Sequence, residues 1–293
     1  MAVQTSTLAV PVTRTARPAG NRIFAVLAHL SLGAWALAVI IPIVYTVLGS
    51  FKNNTELFGA PMALPGSLRW ENWAQAWQQA HIGTYMLNSV VVVAGGVAGT
   101  MLFGSMAAYV LARYPFRGNR LIYAYFVMGL SIPGVVALVP LFFVVERLGL
   151  LNSHLGLMLV YIGQSLSFTV FFLAAFFKTL PGEIAEAAAM DGASHTRTFF
   201  QIMMPMAKPA LVSVTIFNIL GQWNQYMFPL ILIQDPDKWV LTQGIAQIST
   251  QAGYQASWGP MFAALTISIL PVLIVYAVFQ RQIQSGLTAG AGK

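Results

Sequence analysis

Residues 186–205 read EAAAMDGASHTRTFFQIMMP, within the only long charged stretch between apolar segments. Ala185, Ala187, Ala188 and Ala189 favour helix, predicted over 182–190. Gly192 can adopt positive φ and end that helix. Ser194 is placed to cap a second helix over 195–203, with Phe199, Ile202 and Met203 on one side. Pro205 is expected to stop it. The product is a helix–turn–helix with an apolar surface, anchored by Glu186 and Asp191. Such a surface suits insertion into a groove on a partner, or rest against lipid headgroups.

Outward from this stretch the chain is apolar. Of its 293 residues 57% are hydrophobic and 8% charged, with mean hydropathy +0.71. A soluble domain carries about a quarter charged residues, so the reading is an all-α polytopic membrane protein. Six stretches are long enough to span, at 23–48, 86–112, 121–145, 155–177, 209–233 and 260–280. The segment 178–208 holds Lys178, Glu183, Glu186, Asp191, Arg197 and Lys208. At roughly 2.5–3.5 kcal/mol per charge in a bilayer centre, it cannot be a seventh span. The expected organisation is a tail over 1–22, a six-helix domain over 23–281 and a second tail over 282–293.

Charge fixes the expected orientation. Of the 15 Lys and Arg residues, 11 fall on the side of the termini and the 178–208 loop, and Lys52, Arg69, Arg147 and Lys238 fall on the other. By the positive-inside rule both termini and the loop are cytoplasmic. The net charge of +7 then records topology rather than nucleic-acid binding.

Within the spans, Gly95 and Gly99 form GxxxG, and Gly96, Thr100 and Gly104 share a stripe, a pattern for close helix packing. Pro133 and Pro140 can bend the third span. Trp70, Trp73 and Trp77 recur at helical spacing in the outer loop 49–85. They read as an interfacial helix, with a sugar-stacking platform as the alternative. Asn218, Gln222 and Gln225 are spaced i, i+4, i+7 on the fifth span. Three carboxamides need polar partners, either a solute path lined also by Trp223 and Asn224 or bonds between helices.

Catalysis finds no footing. No Asp, Glu, Lys or Arg lies inside a proposed span, His29 is the one histidine there, and no carboxylate pair or metal-ligand motif occurs. With no Cys there is no thiolate site. The tail GLTAGAGK does not fit a phosphate loop, its glycines being one residue too far apart. The expectation is no catalytic residue, no metal and no cofactor.

The spacing EAA at 186–188, Gly192, Ile202 and Pro205 resembles the EAA loop of bacterial ABC-importer permeases, with Met204 where that pattern has Leu. LARYPFRGNRLIY at 111–123, SFKNNTELF at 50–58 and WNQYMFPLIL at 223–232 are similar to segments of the carbohydrate-uptake branch. Gln225 stands there for an acidic residue. The tail QRQIQSGLTAGAGK resembles that of the maltose-permease-G-like subunit. The resemblance implies a type I importer permease in a bacterial inner membrane, carrying a sugar or oligosaccharide. It implies a sister permease, a cytosolic ATPase dimer that binds the ATP, and an extracytoplasmic solute-binding protein. It assigns ATPase coupling to Glu186, Ala187, Ala188, Asp191, Gly192, Ala193, Phe199, Ile202 and Pro205, and to a tail containing Gly286 and Gly290. The alternative is a six-helix secondary carrier for a small polar solute, although such carriers usually keep ionisable groups at membrane depth.

Overall fold

The computed structural model describes residues 19–291 except Ala80 and Ala256. Arg14 and Arg17 of the expected N-terminal tail lie outside them. Among the described residues all regular structure is helical. The helices are α1 (Ala19–Gly49), α2 (Asn54–Gly59), α3 (Glu71–Ala74), α4 (Ile82–Arg113), α5 (Asn119–Ser131), α6 (Leu138–Arg147) and α7 (His154–Thr179). They continue with α8 (Gly182–Met190), α9 (His195–Met206), α10 (Lys208–Trp223), α11 (Met227–Leu232), α12 (Leu241–Gln255) and α13 (Trp258–Ala291).

Four straight helices are long and apolar enough to cross a membrane, at Phe24–Gly49, Ile82–Arg113, His154–Thr179 and Trp258–Gln280. Two bent pairs bring the count to as many as six. α5 meets the Gly134–Arg147 segment at 101°, and α9 meets α10 at 80°. The third expected span is therefore not one straight helix. Pro133 pushes Ile132 into extended backbone, with φ −91° and ψ 114°, and α5 ends. Pro140 bends nothing, because it falls in the first turn of α6, where a missing N–H is harmless.

The fifth expected span also divides. α10 stops at Trp223, and α11 starts only at Met227. Asn224 turns its side-chain Nδ2 back onto the Leu220 carbonyl at 2.8 Å, competing with helix continuation. The amphipathic helix α12 is an addition to the expected set. Its Leu241, Ile248 and Ala252 are buried, but its other residues are too polar for a span.

α4 packs most extensively against α7, and glycines make that possible. A Cβ on Gly95 would sit 2.6 Å from Met158 Sδ, and one on Gly104 would sit 2.5 Å from Thr169 Cγ2. Gly99 faces Ile162 in the same way. One end of the bundle gathers α3, α12 and the 233–240 connection, with Asn88 Nδ2 donating to the Trp239 carbonyl at 2.9 Å. Lys52 is buried there and donates to the carbonyls of Ala60 and Pro61 at 3.1 and 2.8 Å. Trp73 packs into this end, whereas Trp70 and Trp77 are exposed. The opposite end gathers α8, α9 and the α4–α5 turn around Tyr109, Phe177, Phe199 and Met203. α1 lies outside the rest, touching chiefly α13 through Tyr45 and Phe262, and none of its spanning window is buried. α13 runs on through Gly286 and Gly290 to Ala291, so the expected tail is a helical continuation of the last span.

Candidate functional site

A cavity of about 270 Å³ opens between α7 and α10. Its polar lining is Gln164, Ser165, Asn218, Gln222 and Gln225, and its walls include Tyr161, Phe168, Phe217 and Phe228. No charged residue lines it. Asn218 and Gln222 come from one face of α10, as their i, i+4 spacing requires. Gln225 reaches the same cavity from the turn beyond the helix end rather than from the helix itself.

The two helical amides also tie helices together. Asn218 Nδ2 donates to Thr169 Oγ1 at 2.9 Å on α7. Gln222 Nε2 donates to Ser165 Oγ at 3.1 Å on α7 and approaches Thr100 Oγ1 at 3.4 Å on α4. Thr100 passes its own proton to the Gly96 carbonyl at 2.7 Å. Each amide is only 4% exposed. Lining the cavity and bonding between helices are therefore not alternatives here, since the same side chains do both. The Gln222 Oε1 is left buried without a donor, beside Gly96. A buried acceptor without a partner costs about 1–3 kcal/mol.

Trp223 and Asn224 are not brought to this cavity. Trp223 packs into the cluster around Tyr85 and Leu241. Asn224 is exposed and bonded to its own helix. Sequence reasoning passed over Gln164 and Ser165. The signal was the polar run GQSLSFT at 163–169, in the middle of an otherwise apolar span.

The 178–208 loop forms a second candidate site. α8 closes with Gly192 at φ +76°. The Gly192 N–H donates to the Ala189 carbonyl at 3.0 Å, and the Ala193 N–H donates to that of Ala188 at 2.9 Å. These are the two bonds of a Schellman turn, which needs a left-handed residue at this position. Ser194 Oγ then accepts from the Arg197 N–H at 3.3 Å and starts α9. α9 outlasts the expected end at 203. It passes through π-type turns over Thr198–Met203, carries Pro205 in its last turn and breaks only at Ala207. The wider π turn accommodates a ring that would otherwise crowd the preceding carbonyls.

The loop is clamped to the bundle. Arg113 Nη2 donates to the Leu180 carbonyl at 2.6 Å, and Tyr114 Oη lies 2.9 Å from His195 Nδ1. Phe199 and Met203 are buried, and the Phe199 ring lies 5.1 Å from that of Tyr109. The apolar side expected to face a partner is thus turned into the chain itself: Phe199 and Ala188 are buried and Ile202 packs beside them. The face left exposed carries Glu186, Ala187, Asp191 and Gly192, together with Met190, which is 88% exposed.

Known proteins resemble this chain over most of its length. Residues 100–288 match the family described as binding-protein-dependent transport system inner membrane component. The chain is 46% identical to the diacetylchitobiose uptake system permease protein NgcG of Streptomyces coelicolor, over 94% of this chain and 91% of that protein. It is 33% identical to the trehalose/maltose transport system permease protein MalG of Thermococcus litoralis, over 90% of this chain and 96% of that one. Its fold is similar to a chain of a bacterial ABC transporter involved in import of the acidic polysaccharide alginate. There the TM-score is 0.79 at 23% identity, covering 91% of this chain and 98% of that chain.

Proposed function

The chain belongs to the binding-protein-dependent inner-membrane components, as a sugar ABC transporter permease subunit, and from that premise we propose that it forms half of a pathway importing an uncharged oligosaccharide. The carrying observation is the cavity between α7 and α10, lined by neutral amides, a hydroxyl and aromatic rings with no charge. Sugar hydroxyls need hydrogen bonds and an apolar face but no counter-ion. Asn218, Gln222 and Gln225 are the path residues, with Gln164 and Ser165 opposite. The name of the relative at 46% identity makes diacetylchitobiose, a neutral disaccharide, the first substrate to test.

Coupling is assigned to the loop. Glu186, Ala187, Asp191 and Gly192 form the exposed face offered to a cytosolic ATPase dimer, while Ala188, Ala193, Phe199, Ile202 and Pro205 hold that face in place. Arg113 and Phe199 tie the loop to α4, so displacement of the loop reaches the membrane helices directly. The helical extension with Gly286 and Gly290 emerges at the same end and is a second contact. A sister permease covers the exposed side of the bundle, and an extracytoplasmic binding protein delivers the solute. Closure and opening of the ATPase dimer then bias one bistable membrane element between two access states. The 178–208 loop and both termini are cytoplasmic, supported by the 11-to-4 split of the 15 basic residues.

The test is reconstitution of the permease with its sister subunit, ATPase and binding protein in proteoliposomes. ATP-dependent uptake of labelled diacetylchitobiose is expected, and Glu186→Lys should abolish it with the permease still in the membrane. Uptake by the chain alone under an ion gradient would replace this reading with the secondary carrier. Orientation is checked separately in this Cys-free chain. Ser194→Cys should stay unlabelled by an impermeant thiol reagent in intact cells, and labelling from outside would invert the topology.

A further inference from the structure

A second cavity, of about 670 Å³, lies at the loop end of the bundle between α4, α5 and α7. Three cations line it from three different helices. Arg113 is the last residue of α4, Arg120 stands in the first turn of α5, and Lys178 stands in the last turn of α7. Among the described residues none of them has a carboxylate partner, and the ion pair found there is Lys238–Asp235, at the other end.

Arg113 is only partly used. One nitrogen donates to Leu180, while its Nε is buried with no acceptor. Lys178 Nζ lies over the Tyr123 ring, 4.8 Å from its centroid, which leaves its three donors unsatisfied by any anion. α5 adds to the same potential. It starts from Gly118 at φ +90° without a side-chain cap, and although the Asn119 N–H donates to the Phe116 carbonyl at 3.2 Å, the positive end of the helix dipole lies beside the cavity. The one nearby carboxamide is spent elsewhere, Asn119 Nδ2 donating to the carbonyls of Leu111 and Tyr114 at 3.1 and 2.9 Å.

The cavity is also amphipathic. Phe116 and Leu121 line it and are 41% and 73% exposed, and Tyr125, one turn further along α5, is 72% exposed. The cations stand at the ends of apolar helices, and Leu121 and Tyr125 continue along α5 away from those ends. A free inorganic anion would use the first feature and not the second.

We propose that this cavity binds the phosphate of an anionic phospholipid, of the phosphatidylglycerol or cardiolipin class, from the leaflet at this end of the bundle. Arg113, Arg120 and Lys178 surround the phosphate, and Leu121 and Tyr125 meet the acyl chains. A choline headgroup is disfavoured, because its own cation would face three others. Arg113 touches both the cavity and Leu180, so the lipid and the 178–208 loop share one side chain. A headgroup site requires only that these helices span a bilayer, so it stands or falls apart from the sugar-import reading.

The experiment uses the purified full chain in detergent, with bound lipid counted by native mass spectrometry. It is titrated in parallel with dioleoylphosphatidylglycerol, dioleoylphosphatidylcholine and inorganic phosphate. One phosphatidylglycerol should be retained in a saturable manner, and phosphatidylcholine should not. The double variant Arg120→Gln, Lys178→Gln should weaken retention about thirtyfold, each lost cation contributing about fivefold. Arg113 is left intact because it also anchors Leu180. Should the double variant fold poorly by circular dichroism, Arg120→Gln alone serves, with about fivefold weaker retention expected. Equal retention of phosphatidylglycerol by wild type and variant overturns the site. So does equal binding of phosphatidylcholine. Saturable binding of inorganic phosphate without lipid retention overturns the lipid assignment in favour of a free-anion site.

Discussion

The cavity between α7 and α10 and the 178–208 loop are built from the same helical material by opposite means. The loop gets its shape locally. Two Schellman bonds at Gly192 and one cap at Ser194 define the turn within a few residues of each other. Side-chain packing of Phe199 and Met203 then seats the finished motif on α4 and α7. The cavity has no local definition. Its amides find partners 49, 57 and 122 residues away in sequence, on α7 and α4. A locally built motif can be displaced as a unit, which suits transmission of a push. A site whose polar groups double as bonds between helices changes whenever those helices move, which suits a cavity that must open and close.

The largest expected effect breaks the loop. Gly192→Val places a β-branched residue at φ +76°, where L residues are disfavoured by about 1–2 kcal/mol and branched ones by more. Uptake in the reconstituted transporter should be lost, with substrate-stimulated ATPase uncoupled. Gly192→Asn, which tolerates left-handed backbone, should keep most of the activity. Full activity of the Val variant would show that the turn is not the element that transmits.

Next comes the cavity's dependence on packing. Gly96→Leu drives a side chain into Gln222 Oε1 and between α4 and α7. Overpacking of this kind costs about 1–3 kcal/mol, to be read as a lower unfolding midpoint in detergent. The half-saturating substrate concentration should rise in the same variant. A change in only one of the two readouts would separate what the structure joins.

A milder perturbation removes the amides themselves. Asn218→Leu and Gln222→Leu should raise the half-saturating concentration about threefold to tenfold, the value of one hydrogen bond to a neutral hydroxyl. Asn218→Leu should also lower stability, since Thr169 Oγ1 loses its donor. If both variants merely fail to assemble with a sister permease, the amides bond helices and nothing else. The smallest effect is expected at Trp223→Phe and Asn224→Ala, which face away from the cavity. Uptake by these variants should match wild type at every substrate concentration, and a shift in half-saturation would redraw the cavity's border.

What could be read from the sequence follows the reach of the interactions. Helix α8, its glycine terminator and the cap at Ser194 were legible because each depends on residues within one or two turns. The membrane-spanning character was legible because hydropathy sums over a single helix. The glycine stripe on α4 announced a close partner without naming α7. Even the cavity's polar face on α10 was visible, since i, i+4 spacing alone aligns Asn218 with Gln222.

Only the tertiary structure decided the rest. It set the 101° break after α5, where Pro133 permits a bend that packing must then hold. It held Gln225 in the turn beyond α10, its carbonyl accepting from Thr242 Oγ1 of α12 at 2.7 Å. It turned Phe199 inward onto Tyr109, although the same apolar face could have served a partner. It chose Gln164 and Ser165 as the far wall of the cavity, and it gathered Arg113, Arg120 and Lys178 from three helices around one space. The physical reason is common to all five. Backbone caps and hydropathy are properties of neighbours along the chain, whereas a bend angle, a buried face or a cavity wall depends on which distant surface offers the better contact.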